Sequence, residues 1–203
     1  MSEFALPPVY FIRHGQTDWN RARRVQGQSE TDLNATGQAQ ARAIAAALVR
    51  LIPDPQQFRF HASPMKRARQ TLAPILAAYG LSEQIVRFDD RLREVSFGEM
   101  EGRTWPELNA LGIEPAVDPE GYYHWRPRGG ESYHDVTARV RAWAGELDGP
   151  AIIVAHGGIS RILRALAFGL APRELVQLGV PQHRFFRIRD GALDWFDAEL
   201  QGT

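Results

Sequence analysis

The segment Ala151–Ala155 limits the possible folds more than any other part of the 203-residue chain. Its sequence, Ala-Ile-Ile-Val-Ala, is apolar throughout and lacks the alternation of a strand that has one face in water. A uniformly apolar strand is buried on both faces, which is typical of a parallel sheet with helices packed on either side. A helix is predicted directly after it, from about Gly158 to Phe168. The segment therefore indicates an α/β protein.

Short apolar segments alternate with helical patterns along most of the remaining chain, as expected for the α/β class. Strands are predicted at 9–12, 58–62 and 85–88, and helices at 36–51, 65–79 and 132–147, with a short helix from Thr104. The dipeptide Ser63-Pro64 is typical of a helix start, so the Ser63 side chain is predicted to cap the helix at 65–79. The ranges 15–35 and 121–130 are predicted to be loops.

A β-hairpin is predicted near the C-terminus. The apolar ranges 183–189 and 193–196 flank Asp190-Gly191, a dipeptide typical of tight hairpin turns. We therefore expect a three-layer α/β/α sandwich around a mostly parallel sheet, with an antiparallel edge strand. The sequence shows no repeat or linker, so residues 1–203 are expected to form one domain.

Composition argues against several classes of protein. Lys and Arg total 24 and Asp and Glu total 24, so the net charge is zero and a strongly basic nucleic-acid-binding protein is not expected. The chain has no cysteine, which excludes disulfides, thiolate nucleophiles and cysteine metal sites. The N-terminus lacks a signal-peptide pattern and no apolar run reaches membrane-spanning length. We expect a cytoplasmic protein without nucleic-acid or membrane partners, and the edge hairpin would allow a homodimer.

Three polar motifs follow predicted strands, at the edge of the sheet where α/β proteins bind ligands. The first strand ends in Arg13-His14-Gly15, the second in Ser63-Pro64 with Arg67 one turn later, and Ala151–Ala155 in His156-Gly157-Gly158. Two histidines and two arginines at one edge, together with helix N-termini, predict a pocket for an anion.

These motifs resemble those of the histidine phosphatase superfamily, also called phosphoglycerate mutase-like. The matching blocks occur in the family's order and span nearly the whole chain. They are Arg13-His14-Gly15-Gln16-Thr17 with Asn20, Gln26-Gly27, Ser63-Pro64-Met65-Lys66-Arg67-Ala68, Leu92-Arg93-Glu94 through Phe97-Gly98 to Glu101-Gly102, and His156-Gly157-Gly158. The resemblance implies a phosphoglycerate mutase-like fold and chemistry on a small phosphorylated substrate, without a metal or other cofactor.

The resemblance also assigns roles to individual residues. His14 would be the nucleophile that forms a phosphohistidine, with its ring oriented by a backbone carbonyl. Glu94 would be the acid for the leaving alcohol and then the base for water, although other acidic residues lie nearby. The phosphoryl oxygens would be bound by Arg13, Arg67, a protonated His156, and the neutral groups of Asn20, Gln26, Gly27 and Gly157. The remaining histidines are given no role: His61, His124, His134 and His183.

The sequence bears on three alternatives to a phosphatase. A cofactor-dependent phosphoglycerate mutase resembled here would have Tyr at Phe97, Lys at Trp105, an Asn in place of Gly158 and a longer span between Glu94 and His156. These departures favour hydrolysis over transfer. A zinc site is disfavoured because no helix carries a His-x-x-x-His pair. A non-catalytic phospholigand-binding protein would lack at least one catalytic residue, and none is missing.

The substrate is left open by the sequence. Sugar phosphates, α-ribazole phosphate, broad-range monoesters and phosphoproteins are all substrates of enzymes with similar motifs. Aromatic and basic residues of the predicted loop would either contact the substrate or pack the loop onto the body of the protein. They are Tyr122, Tyr123, His124, Trp125, Arg126 and Arg128.

Overall fold

A mixed sheet forms the centre of the molecule in the computed structural model, which describes residues 4–198. Its strands are β1 (Val9–Arg13), β2 (Arg59–Ala62), β3 (Val86–Phe88), β4 (Ala151–Ala155), β5 (Arg184–Arg189) and β6 (Ala192–Asp197). The strand order is β3-β2-β4-β1-β5-β6. Strands β1, β2, β3 and β4 are parallel to one another, and β5 pairs in antiparallel fashion with β1 on one side and β6 on the other. The predicted fold class is therefore confirmed. Residues 1–3, to which the signal-peptide expectation also refers, lie outside the described range.

Helices cover both faces of this sheet. They are α1 (Asp18–Arg21), α2 (Ala35–Leu51), α3 (Lys66–Tyr79), α4 (Trp105–Asn109), α5 (Pro119–His124), α6 (Tyr133–Gly145), α7 (Gly157–Phe168) and α8 (Pro172–Gln177). Short 3₁₀ turns lie at Glu83–Ile85, Asp90–Leu92 and Gly98–Met100. None of the helices within residues 4–198 is long and apolar enough to cross a membrane.

The predicted loops at 15–35 and 121–130 were partly wrong, because each contains residues of a short helix. Helix α1 is a single turn closed by a capping box, in which Thr17 and Asn20 bond each other's backbone N–H groups. Asp118 accepts from the backbone N–H of Gly121 and Pro119 occupies the first turn, which together start α5. Helices this short have no apolar periodicity to detect, so only their caps identify them.

The two faces of the sheet pack into separate apolar cores because side chains alternate along each strand. On β1, Val9 and Phe11 join one core, and Tyr10 and Ile12 join the other. The first core packs against α6 and α7, and the second against α2 and α3. Residues Ala151–Ala155 are all fully buried between these layers, as their sequence predicts.

The predicted hairpin is confirmed as β5 and β6. Its turn residues Asp190 and Gly191 both have positive φ, 52° and 72°, as a two-residue hairpin turn favours. The hairpin joins the sheet by antiparallel pairing of β5 with β1.

The sheet brings the three predicted motifs to one edge. His14 follows β1 and its backbone N–H donates to the carbonyl of Ala155 over 2.9 Å. Ser63 follows β2 and its N–H donates to Val154 over 3.0 Å. His156 follows β4 directly, so the ends of three adjacent parallel strands carry the candidate site.

The segment after β1 lies very close to the start of α2. A Cβ atom at Gly37 would lie 2.0 Å from the carbonyl oxygen of Gln16, and one at Gly15 would lie 2.4 Å from the carbonyl oxygen of Gly37. Only glycine allows the two backbones to pack at this distance.

Gly37→Ala is therefore expected to lower the free energy of unfolding by about 2 kcal/mol, because the methyl group displaces backbone rather than a flexible side chain. Thermal denaturation should show a Tm lower by roughly 4–8 °C. Gly145→Ala is the control, since a Cβ at this last residue of α6 meets no atom within 4 Å. Equal Tm values for Gly37→Ala and the wild type would contradict the close packing.

Candidate active site

A pocket of about 160 Å³ lies at the edge of the sheet where β1 and β4 end. Most of the residues predicted for the site line it: Arg13, His14, Asn20, Gln26, Gly27, Arg67, Glu94 and Gly157. His156 is fully buried beside them, and the centroid of its ring lies 5.2 Å from that of His14. The structure thus brings all nine predicted residues into one region.

His14 is buried and its ring is fixed by a backbone carbonyl, as expected. Nδ1 lies 2.8 Å from the oxygen of Gly15, so Nδ1 carries the hydrogen and donates it. The other ring nitrogen, Nε2, then has a free lone pair. Burial lowers the pKa of His14 well below its usual value, and the charges of Arg67 and Arg13 lower it further. His14 is therefore neutral near pH 7 and chemically suited to attack an electrophile.

Arg67 is buried and Arg13 is half-buried, and part of each guanidinium is unused. Arg67 donates from Nη1 to the carbonyl of Ser29 over 2.9 Å and from Nη2 to that of Gly27 over 2.7 Å. Arg13 donates from Nη1 to the carbonyl of Val180. The Nε atoms of both arginines are buried without a hydrogen-bond partner among residues 4–198. Two such donors beside His14 form a site for an anion.

Burial lowers the pKa of Arg13 to about 10 and also lowers that of Arg67. A guanidinium keeps its proton in proteins, so both side chains are positively charged. The nearby carboxylate of Glu94 opposes the shift in each case.

His156 differs from the expectation that it carries a positive charge. Burial lowers its pKa well below the usual value, and the charge of the nearby Arg67 adds to this effect. The imidazole is therefore neutral unless a bound anion offsets this charge. Its Nδ1 is buried without a partner in the described part of the chain.

Ser63 does not cap α3 as predicted. The helix begins at Lys66 and its N-cap, Met65, makes no side-chain cap hydrogen bond. The Ser63 hydroxyl lies 2.7 Å from Nε2 of His156 instead and accepts from the N–H of Met65 over 3.3 Å. Sequence reasoning gave Ser63 a structural role because a serine before proline is usually a cap.

Glu94 is the acidic residue of its loop that lines the pocket. Its Oε1 accepts from the backbone N–H of Gly158 over 2.9 Å, at the start of α7. A Cβ at Gly158 would lie only 2.5 Å from this oxygen, so the glycine leaves the space that the carboxylate fills. The backbone carbonyl of Glu94 is held by Arg139 and Gln28, each over 3.1 Å.

The other acidic residues near Glu94 are engaged elsewhere. Asp89 pairs with Arg91, Asp90 with Arg93 and Glu99 with Arg128. Glu101 accepts from the N–H of Gln28 and Phe97 and from the Ser29 hydroxyl.

Asn20 and Gln26 line the pocket with their side-chain oxygens already bonded. The oxygen of Gln26 accepts from the hydroxyls of Thr17 and Thr31 over 3.0 and 2.7 Å. The oxygen of Asn20 accepts from Gln182 over 2.9 Å. This leaves the amide NH₂ groups as donors toward the pocket. Gly27 has φ of 52°, which favours glycine, and its carbonyl accepts from Arg67.

The aromatic residues of 121–130 mainly pack this segment onto the protein. Tyr122 is 6% exposed, and its ring stacks on Trp125 with centroids 5.9 Å apart and also contacts Trp105. Tyr122 also lines the pocket, whereas Tyr123 faces a different cavity. Arg126 pairs with Asp135 and Arg128 with Glu99, so the charges of both arginines are paired outside the pocket.

Several pocket residues were missed by sequence reasoning. Arg161, Tyr133 and Val180 line the pocket, and Gln182 donates to the carbonyl of His14 over 3.0 Å. Arg161 follows Gly158 by three residues, so helical periodicity would have placed both on one face of α7. The contributions of Val180 and Gln182 depend on tertiary packing and have no local signal.

Burial of neutral histidines predicts a pH-dependent stability. His14, His156 and His61 all have a pKa lowered first by burial, so below pH 6.5 the unfolded chain binds more protons than the folded one. The free energy of unfolding should therefore fall as pH decreases below 6.5, by up to about 1.4 kcal/mol per pH unit for each histidine. Urea denaturation from pH 7.5 to 5 measures this slope.

His14→Asn should make that dependence shallower by up to about 1.4 kcal/mol per pH unit, because it removes one of the buried groups. A slope equal to that of the wild type would mean that His14 is not kept neutral by the fold.

Known proteins are similar to this chain in sequence and in fold. A model of the histidine phosphatase superfamily (branch 1) matches residues 9–192. The chain is 35% identical over 184 residues to the glucosyl-3-phosphoglycerate phosphatase of Mycobacterium tuberculosis, covering 84% of this chain and 79% of that protein. It is 32% identical over 177 residues to the metal-independent phosphoserine phosphatase of Arabidopsis thaliana, covering 79% of this chain and 68% of that protein.

A solved structure of a mycobacterial glucosyl-3-phosphoglycerate phosphatase in complex with VO₃ superposes with a TM-score of 0.76 at 30% identity. The match covers 97% of this chain and 100% of that chain. Enzymes named phosphoglycerate mutase are also among the relatives, one of them 32% identical. With a family model matched across most of its length, the chain belongs to the histidine phosphatase superfamily.

Proposed function

We propose that this protein is a metal-independent phosphatase that hydrolyses a small phosphorylated metabolite through a phosphohistidine at His14. The observation that carries the proposal is a neutral imidazole, held by Gly15 over 2.8 Å, beside two arginines whose Nε atoms are buried and have no partner among the described residues. The relatives named as phosphatases of glucosyl-3-phosphoglycerate and phosphoserine support the same class of reaction.

The phosphoryl group binds between the two arginines. Arg13 and Arg67 donate to its non-bridging oxygens, and their two positive charges match the two negative charges of a phosphomonoester. The bound dianion favours protonation of His156, whose Nδ1 then donates to a third oxygen. The neighbouring groups that complete the site are the amides of Asn20 and Gln26 and the backbone at Gly27 and Gly157.

In the first step, Nε2 of His14 attacks phosphorus and forms a P–N bond. The bond from phosphorus to the ester oxygen breaks, and its electron pair stays on the leaving oxygen. The protonated carboxyl of Glu94 gives its proton to this oxygen, so an alcohol leaves. Splitting hydrolysis into two transfers makes each barrier lower than that of direct attack by water.

In the second step, Glu94 acts as a base. Its carboxylate takes a proton from water while the water oxygen attacks phosphorus. The P–N bond breaks with its electrons returning to His14, and inorganic phosphate leaves. The enzyme is then restored with Glu94 protonated, ready for the next ester.

Hydrolysis is favoured over transfer to a second substrate oxygen. The positions where related mutases have Tyr and Lys are occupied by Phe97 and Trp105, and both line the pocket. Neither side chain offers the hydroxyl or ammonium group that related mutases have at these two positions to keep the substrate in place for retransfer. Water therefore receives the phosphoryl group.

Purified protein is expected to release phosphate from p-nitrophenyl phosphate in the presence of EDTA, because its charged groups replace a metal. His14→Ala should reduce kcat by at least roughly 1000-fold, since it removes the imidazole that forms the P–N bond. Denatured, phosphate-labelled enzyme should carry an acid-labile, base-stable label. Full activity of His14→Ala, or label on serine, would overturn the mechanism.

A second assay of the purified protein distinguishes phosphatase activity from mutase activity. The protein is incubated with 3-phosphoglycerate and catalytic 2,3-bisphosphoglycerate, and both isomerisation and phosphate release are followed. Isomerisation faster than phosphate release would make the protein a mutase. Phosphate binding without turnover of any ester would make it a non-catalytic phospholigand-binding protein.

Gly158→Ala is expected to lower kcat by roughly 100-fold, because the added Cβ would displace the Glu94 carboxylate from the backbone N–H of Gly158 at the start of α7. The added Cβ would also lie 2.7 Å from Cγ2 of Val95, a buried side chain with little freedom to move, so a decrease in Tm is expected as well. Gly145→Ala again serves as the control. Unchanged kcat would show that proton transfer does not depend on the placement of Glu94.

The partner of this enzyme is expected to be a small phosphorylated molecule. The cytoplasmic location and the homodimer stay predictions from the sequence.

A further inference from the structure

One wall of the pocket carries a cation that the proposed phosphoryl transfer does not use. Arg161 lies on α7 and lines the pocket together with Tyr133. Its Nε donates to the carbonyl of Leu178 over 2.8 Å, and its Nη1 donates to the Tyr133 hydroxyl over 3.0 Å. None of the ion pairs among residues 4–198 includes Arg161.

The hydroxyl of Tyr133 is a second donor at the same wall. Tyr133 is 4% exposed, and burial raises the pKa of its phenol, so the hydroxyl stays protonated. Its oxygen accepts from Arg161, which leaves its own hydrogen for another acceptor. A guanidinium and an O–H side by side match the two oxygens of a carboxylate.

The charges of the pocket support an acidic group at this wall. Arg13 and Arg67 balance the two charges of the phosphoryl group, and Glu94 is the carboxylate near Arg161. The proposed first step requires Glu94 to act as an acid, and the charge of Arg161 then has no counterpart among the residues lining the pocket. A negatively charged substituent on the substrate supplies that counterpart.

On the basis of the proposed function, we infer that Arg161 and Tyr133 form a subsite for a carboxylate, and that the substrates are phosphorylated carboxylic acids. A carboxylate carries one charge, which one guanidinium balances. A second phosphate would bring two, and the other arginine lining the pocket, Arg24, is exposed and donates to the carbonyl of Gly102. An exposed cation contributes little because water screens it.

Two matched pairs of compounds test the subsite in the wild-type protein. O-phosphoserine differs from phosphoethanolamine, and 3-phosphoglycerate from glycerol 3-phosphate, by the carboxylate. Each is measured as a competitor of p-nitrophenyl phosphate hydrolysis, which reports binding whether or not the compound is itself hydrolysed. The acid of each pair is expected to have an inhibition constant at least roughly 30-fold lower, as a largely buried charge pair provides.

Variants assign this preference to the two side chains. Arg161→Gln should reduce the ratio of inhibition constants within each pair at least tenfold, and Tyr133→Phe should reduce it less. Arg164→Gln is the matched control. Arg164 also lies on α7 and donates to the carbonyl of Gly179 over 2.8 Å, next to the Leu178 carbonyl that Arg161 bonds, but it does not line the pocket. The control variant should keep the wild-type ratio. Thermal denaturation verifies that each variant is folded.

The outcomes separate this inference from the proposed function. Hydrolysis of p-nitrophenyl phosphate with ratios near one in both pairs overturns the carboxylate subsite and leaves the phosphatase intact. If Arg164→Gln reduces the ratio of inhibition constants as much as Arg161→Gln does, the backbone at Leu178 and Gly179, not the Arg161 side chain, sets the preference. A preference for fructose 1,6-bisphosphate over fructose 6-phosphate, without one for the acids, overturns the assignment to carboxylate. No phosphate release from any ester overturns the proposed function itself.

Discussion

The parallel pairing of β1 with β4 is the interaction on which the site depends. Its register sets Arg13 opposite Ala155, so the residues after each strand, His14 and His156, emerge side by side. The backbone bond from His14 to Ala155 continues the ladder one residue beyond β1. A slip of one residue would turn every side chain of the strand to the opposite face, which the two apolar cores prevent. The hydrophobic cores thus fix the relative positions of two imidazoles that lie far apart in sequence.

The pocket brings together buried polar atoms that have no hydrogen-bond partner in the described part of the chain, which most protein interiors avoid. Buried polar atoms without a partner cost about 1–3 kcal/mol each, and this site holds them on Arg13, Arg67 and His156. Backbone carbonyls of Ser29, Gly27 and Val180 stabilise the arginines in part. The remaining donors are aligned before any ligand arrives, so little reorganisation accompanies phosphoryl transfer. The rest of the fold therefore supplies the stability that this alignment costs.

The sequence predicted those features that have a local cause. The apolar run of β4, the helical spacing of α6 and the Asp190-Gly191 turn each determine their own element, so all three were identified correctly. The strand-end motifs placed Arg13, His14, Arg67 and His156 at one edge, because parallel strands end at a common edge. The other predicted site residues, such as Glu94, came from the resemblance to the family. The bond between Ser63 and His156, and the contribution of Gln182, join segments distant in the chain. Such contacts follow from packing, which no window of sequence contains.

The segment that connects α8 to β5 closes one side of the pocket. Arg161 and Arg164 bond its carbonyls, Val180 accepts from Arg13, and Gln182 bonds the backbone of His14. All the parallel strands and both histidine motifs precede this segment in the chain. During synthesis on the ribosome, the sheet edge with its two imidazoles therefore emerges before the wall that completes it. A nascent chain would acquire the complete anion-binding geometry only after residues 178–182 have left the exit tunnel.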